Sequence, residues 1–157
     1  MIKSGIGYDV HSLAEGEELI IGGVKINSPW GSVGHSDGDV LLHAIVDALL
    51  GAAKLGDIGM HFTSSDERWK GKESIYFLDH AALLVREQGF EIDYVDSTVI
   101  LEEPKLADII PEMVYKVSYT LQIDEAAVSI KATTTDKMGF IGRGEGVGAM
   151  AIATISK

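Results

Sequence analysis

No cysteine occurs in these 157 residues. Disulfides, thiolate nucleophiles and Cys-based zinc sites are thereby excluded, and any metal ligand must come from His, Asp or Glu. Basic side chains are scarce: 13 Lys and Arg stand against 24 Asp and Glu, a formal net charge of −11. Such a chain lacks the cationic footprint of a nucleic-acid binder and the basic patch that would hold it on an anionic membrane. No apolar run approaches the length of a membrane span. The opening Met1-Ile2-Lys3-Ser4-Gly5 has neither the apolar region of a secretory signal nor the composition of a transit peptide. A soluble, cytoplasmic protein is expected.

What is present describes an ordinary folded chain. Hydrophobic residues make up 46%, which argues against disorder. The length fits a single domain over residues 1–157, large enough to bury a core without staples. There is no internal repeat, low-complexity tract or linker. Glycine is over-represented, at 18 residues where roughly 7% is usual, and it is clustered.

Ile2 to His11 alternates as a strand. Glu18–Ile21 and Val24–Ile26 form a hairpin around Gly22-Gly23. Residues 27–34 read as loop. Ser36 or Asp37 can cap a helix over about 39–55, whose apolar face is Leu42, Ile45, Val46, Leu49 and Ala53. Residues 57–72 form a long polar loop, a length that usually signals function. A helix over 73–88, a strand over 90–101 and a helix from near Asp108 to Leu121 follow. A strand over 128–135, a Gly-rich turn and a final strand over 147–156 complete the chain. The order predicts an α+β fold with a mostly antiparallel sheet and helices packed on one face.

Asp9 and His11 lie two apart on a strand, so both point to one face, about 7 Å apart along the backbone. They suit two ligands of one metal; alone, they equally describe a surface pair. Asp39, His43 and Asp47 lie on one stripe of the first long helix. His43 can supply a third ligand, leaving the open position of a catalytic zinc, with Asp39 or Asp47 orienting its ring. A solvated helix face accounts for the same stripe. Thr133-Thr134-Thr135-Asp136 at a strand end offers hydroxyls and a carboxylate for phosphate and hydrated Mg²⁺, although threonines are also good strand formers. Gly142-Arg143-Gly144-Glu145-Gly146 is not a dinucleotide fingerprint, because no helix follows it. Tight-turn geometry explains most of it, with Arg143 offering an anion contact. No P-loop sequence occurs.

Together these segments resemble the 2-C-methyl-D-erythritol 2,4-cyclodiphosphate synthase family. The resemblance rests on Gly7-Tyr8-Asp9-Val10-His11, His35-Ser36-Asp37-Gly38-Asp39 with Leu42-His43, and Leu50-Gly51-Ala52-Ala53 with Gly56-Asp57-Ile58-Gly59. It continues through Pro104-Lys105-Leu106, Lys131-Ala132-Thr133-Thr134-Thr135, Gly139-Phe140 and Gly142-Arg143-Gly144-Glu145-Gly146, and so spans essentially the whole chain. It implies a ferredoxin-like core and a homotrimer with active sites between subunits. The implied activity is that of a phosphorus–oxygen lyase. It would convert 4-diphosphocytidyl-2-C-methyl-D-erythritol 2-phosphate to the 2,4-cyclodiphosphate, releasing CMP. The nucleophile is already an anion, so positioning and electrostatics suffice.

By match to the family's motifs, Asp9, His11 and His43 would hold one Zn²⁺ per subunit. Asp136 would hold Mg²⁺ or Mn²⁺ with the substrate diphosphate. His35 and Thr134 correspond to transition-state stabilisers. Asp9-Val10-His11 and His35-Ser36 would contact phosphates and erythritol. Asp57-Ile58-Gly59 and Phe62-Thr63-Ser64-Ser65-Asp66 would hold the methylerythritol. Leu101-Glu102-Glu103-Pro104-Lys105-Leu106-Ala107 and Thr133-Thr134-Thr135-Asp136 would hold cytidine and its α-phosphate, with Phe140 and Arg143 near substrate and trimer axis. An isoprenoid diphosphate on that axis is a further partner the resemblance admits. The chain departs from the family's Phe-Pro-Asp-Thr-Asp at residues 62–66, and from its usual Glu at Asp136. Two rival readings use the same ligands: a zinc hydrolase with an activated water, and a non-catalytic trimer with a structural metal.

Overall fold

A computed structural model describes all of residues 1–157. The first strand, β1, runs Ile2–Glu15, and the hairpin is β2 (Leu19–Ile21) and β3 (Val24–Ile26). Gly22 and Gly23 turn it with φ of 62° and 75°, the pair of positive values that a two-residue hairpin turn demands. A strand absent from the sequence reading, β4 (Trp30–Ser32), lies in the expected loop. It exists because Leu13–Glu15 of β1 offer it an antiparallel edge. Then come α1 (Val40–Ala52), the four-residue α2 (Ile58–His61), α3 (Ser74–Glu87) and β5 (Glu91–Ile100). The chain closes with α4 (Ile110–Leu121), a 3₁₀ turn, β6 (Val128–Thr133), the four-residue α5 (Gly139–Gly142) and β7 (Gly146–Ser156).

The main sheet has the order β4-β1-β7-β5-β6. It is mixed, which corrects the mostly antiparallel sheet expected: β5 and β6 run parallel, Val95 opposite Val128 through Ile100 opposite Thr133. The helix α4 between them supplies the crossover that parallel neighbours require. β7 is central, antiparallel to β1 from Ser156–Ile2 to Gly146–Ser12 and antiparallel to β5 on its other side.

One face of this sheet is covered. Val147, Ala149, Ala151, Ala153 and Ile155 of β7 are buried with Val95, Ser97 and Val99 of β5 against α1 and α3. The opposite face leaves Ile6, Tyr8, Met150 and Ile152 exposed. α1 is buried on nearly every side, with only Gly51 exposed and His43 and Asp47 half-buried. That differs from the single apolar face expected, because α1 is sandwiched between the sheet and α3.

α1 approaches β1 backbone to backbone. A Cβ on Gly7 would sit 1.8 Å from the Ala44 carbonyl oxygen, and one on Gly5 would sit 2.1 Å from that of Ala48. Only glycine permits this contact. The cap of α1 is Asp39, not Ser36 or Asp37: its carboxylate accepts from Leu42 N (3.1 Å). The same carboxylate accepts from Gly22 N (2.9 Å) and Gly23 N (2.7 Å). One buried side chain thus caps the helix and pins the hairpin turn.

Candidate metal centre and substrate cavities

Gly5, Gly7, Asp9 and His11 share one face of β1, and that face meets α1. The close approach at Gly7 therefore carries His43 onto Asp9 and His11. Asp9 Oδ2 lies 2.8 Å from His11 Nε2 and 3.2 Å from His43 Nδ1, and the two ring nitrogens are 3.2 Å apart. Three donors converge from three side chains. At bonds of about 2.0–2.1 Å a tetrahedral ion separates its ligands by about 3.3 Å, so this donor set fits such an ion. All three residues are half-buried.

The electrostatics agree with that geometry. Burial alone would raise the Asp9 carboxyl, but hydrogen bonds from His11 and His43, together with their charge, hold it well below the usual carboxylate range. The same bond to Asp9 raises His11 above an ordinary histidine, against the opposing effect of burial. A metal ion must displace that proton, so ligation strengthens as pH rises.

Neither acid proposed to orient His43 does so. Asp39 is the helix cap, and Asp47 accepts from Ile58 N (2.7 Å) at the start of α2. His43 Nε2 instead meets Ser74 Oγ at 2.8 Å and Ser36 Oγ at 3.3 Å. Ser74 in turn donates from its hydroxyl to Asp37 Oδ1, and from its N–H to Asp37 Oδ2 (3.0 Å). Sequence reading missed Ser74 altogether, and no local signal could reveal a partner 37 residues away. His11 Nδ1 lies 3.2 Å from the Val33 carbonyl.

A cavity of about 350 Å³ opens beside these ligands. Among the expected site residues it gathers His11, His35, Ser36, His43, Ile58, Gly59, Phe62, Thr63 and Ser64, and it adds the unanticipated Trp69, Lys70 and Phe77. Phe62 stacks on Phe77 at 4.7 Å and meets Trp69 edge-on at 4.9 Å. Asp57 caps α2, accepting from Met60 N at 3.0 Å. Ser65 and Asp66 lie outside the cavity lining; Asp66 pairs with Arg68 at 2.7 Å.

The second expected group lies elsewhere. Leu101, Pro104, Lys105, Leu106, Ala107, Thr133 and Thr134 line a separate cleft of about 170 Å³, with Ala132 and Ile110. His35 and Thr134 therefore face different cavities. Glu102 and Glu103 line a third, of about 400 Å³, with Arg143 and Trp30. The Glu102 carboxylate accepts from Thr135 N (3.2 Å) and Lys137 N (3.0 Å), clamping the turn that bears Asp136. Asp136 and Lys137 adopt positive φ of 52° and 63°. Asp136 and Phe140 are exposed, and Arg143 pairs with Glu145 at 3.0 Å.

A mixed α+β sheet with an Asp–His–His centre open to a cavity defines the class: a protein built to hold a divalent metal beside a small ligand. The family model of the YgbB family matches residues 2–156, and the chain belongs to that family. It is 49% identical over 156 residues to the 2-C-methyl-D-erythritol 2,4-cyclodiphosphate synthase of Alkaliphilus metalliredigens, covering 99% of this chain and 98% of that one. It superposes on the bifunctional IspDF from Campylobacter jejuni with a TM-score of 0.94 at 42% identity, over 99% of this chain and 42% of that one. It also matches a 2C-methyl-D-erythritol-2,4-cyclodiphosphate synthase in its CDP-bound form, with a TM-score of 0.92, 34% identity and coverage of 98% and 100%.

Proposed function

We propose that this chain is a cyclodiphosphate synthase of isoprenoid biosynthesis, acting as one domain over residues 1–157. It converts 4-diphosphocytidyl-2-C-methyl-D-erythritol 2-phosphate to 2-C-methyl-D-erythritol 2,4-cyclodiphosphate. An oxygen of the 2-phosphate bonds to the β-phosphorus. The bond from that phosphorus to the bridging oxygen breaks, and CMP leaves with the electron pair. The carrying observation is that Asp9, His11 and His43 converge, and that His11 and His43 stand in the wall of the same cavity as His35 and Ser36.

Because the substrate supplies its own nucleophile, the chain needs to align two phosphates and reduce their repulsion. A Zn²⁺ held by Asp9, His11 and His43 would polarise the β-phosphate. Asp136, whose carboxylate is exposed, suits Mg²⁺ or Mn²⁺, ions that take one carboxylate together with phosphate oxygens. His35 and Ser36 bind phosphate and erythritol, with Lys70 a cation at the same cavity. Ile58, Gly59 and Phe62 to Ser64 line the methylerythritol site, with Asp57, Ser65 and Asp66 flanking it, and the aromatic wall of Phe62, Trp69 and Phe77 excludes water. The 101–107 and 133–136 segments take cytidine and its α-phosphate, with Thr134 stabilising the transition state. The CDP-bound relative supports a cytidine ligand.

The working unit is a homotrimer, with a ferredoxin-like core in each subunit. Two observations support it: the metal cavity and the cytidine cleft have no lining residue in common, and Ile6, Tyr8, Met150 and Ile152 stand exposed on the uncovered sheet face. Three such faces would enclose an apolar axis, suited to an isoprenoid diphosphate. A cytoplasmic location is part of the same proposal; no helix is long and apolar enough to cross a membrane.

The test supplies the cytidylyl substrate with Zn²⁺ and Mg²⁺. CMP and a cyclic diphosphate, seen by phosphorus NMR, are expected. Release of inorganic phosphate would instead identify a hydrolase. Sedimentation equilibrium should give three chains, and a fully active monomer would refute the shared site.

A further inference from the structure

We propose that Asp37 and Ser74 are positioning residues that select the tautomer of His43 and so set the metal affinity of the centre. The inference rests on reading Asp9, His11 and His43 as metal ligands. A neutral imidazole carries one hydrogen, and a ligating nitrogen must be the other one. His43 Nδ1 faces Asp9 and His11, so a metal there requires the hydrogen on Nε2, whereas in the metal-free protein Asp9 Oδ2 at 3.2 Å competes to hold it on Nδ1.

What Nε2 meets is Ser74 Oγ, at 2.8 Å. A hydroxyl alone leaves the choice open, since it donates or accepts equally well. Asp37 removes the ambiguity. Its ionised carboxylate can only accept, and it lies against the Ser74 hydroxyl. The Ser74 hydrogen therefore goes to Asp37, a serine lone pair faces His43, and Nε2–H donates to it. Nδ1 keeps its lone pair, aimed at the metal position.

Two further contacts hold this chain of bonds rigid. Asp37 Oδ2 accepts from Ser74 N at 3.0 Å. Ser74 opens α3, whose N-cap residue Glu73 makes no side-chain capping bond, so Asp37 caps that helix from outside it. Ser74 is fully buried, so bulk water does not substitute for its hydroxyl. His11 obeys the same logic with a different acceptor: the Val33 carbonyl takes its Nδ1–H and leaves Nε2 for the metal. The carboxylate behind Ser74 also fixes the ring's orientation through the same chain of bonds. Ser36, within 3.3 Å of both His43 Nε2 and Ser74 Oγ, ties the phosphate-binding loop to the same node.

The experiment measures zinc affinity of the full chain by chelator competition, and reads the His43 tautomer in metal-free protein from ¹⁵N ring shifts. Ser74→Ala should weaken zinc binding roughly 10–100-fold and populate the Nδ1–H form. Asp37→Asn, nearly isosteric, should do the same to a smaller degree, and it decides the matter if Ser74→Ala does not fold. General destabilisation would leave the tautomer unmoved. Parental affinity and tautomer in both variants would overturn the proposal. His43→Ala separates the two levels. If it loses zinc while Ser74→Ala and Asp37→Asn keep it, the positioning role fails; if it keeps zinc, the metal reading itself fails.

Discussion

Asp39 illustrates how one side chain couples structure to pH. Burial pushes its carboxyl up to about 6, opposed by hydrogen bonds from Gly23, Leu42 and Gly22 and reinforced by the charge of Asp37. A raised carboxyl binds its proton more tightly folded than unfolded. Its contribution to stability is therefore largest below the unfolded value near 3.9, and is lost as pH rises through about 6. Relative to Asp39→Asn, the parent should gain on the order of 2–3 kcal/mol between pH 7 and pH 4 in urea unfolding. A gap that stays constant over that window would show that Asp39 does not titrate there. At this scale the sequence was informative where chemistry is local. Asp9 and His11 announce themselves by their strand spacing and His43 by its helical stripe. Asp37 and Ser74 do not, because their contact spans distant segments, and Asp39 was misassigned because a polar stripe on a helix does not say which acid is buried.

At the scale of elements, the contact of α1 with β1 holds the metal ligands in register. Gly7→Ala would thrust a methyl into the Ala44 carbonyl. It should lower stability by about 1–3 kcal/mol and weaken zinc binding together, measured by thermal unfolding and chelator competition. Parental zinc affinity in that variant would show that the helix position is not set at Gly7. The turn after β6 depends on Glu102, whose carboxylate holds two amides around the positive-φ pair Asp136 and Lys137. Glu102→Ala should weaken CDP binding by about tenfold in calorimetry, and an unchanged affinity would release Glu102 from that role. Long elements were legible because periodicity accumulates over α1, α3 and β5. The three-residue β4 and the four-residue α2 and α5 are too short to show a period, and β4 is a strand only through its partner. Strand alternation carries no direction, so the parallel pairing of β5 with β6 was hidden although the intervening helix was foreseen.

For the whole molecule, the sheet is asymmetric. One face is sealed by helices; the other presents Ile6 opposite Ile152 and Tyr8 opposite Met150 across paired strands. Placing a charge in that patch opposes burial against other copies. If the proposed trimer uses this face, Ile152→Glu should shift sedimentation toward monomer and abolish turnover, while leaving each chain's capacity to bind added zinc intact. An active trimer with that substitution would remove this face from the interface. Alternation in β1 and β7 made both faces readable as surfaces, but it does not say what covers the second one.

The glycine contact between α1 and β1 also governs how the molecule comes apart. Side chains can loosen one rotamer at a time, whereas two touching backbones part only when the helix leaves the sheet. His43 rides on one of those backbones, and Asp9 and His11 ride on the other. Heating protein loaded with zinc should therefore release the ion in the same transition that melts the fold, with no earlier stage in which the intact protein has lost it. A metal indicator and far-ultraviolet circular dichroism, followed in one thermal scan, should report a single midpoint.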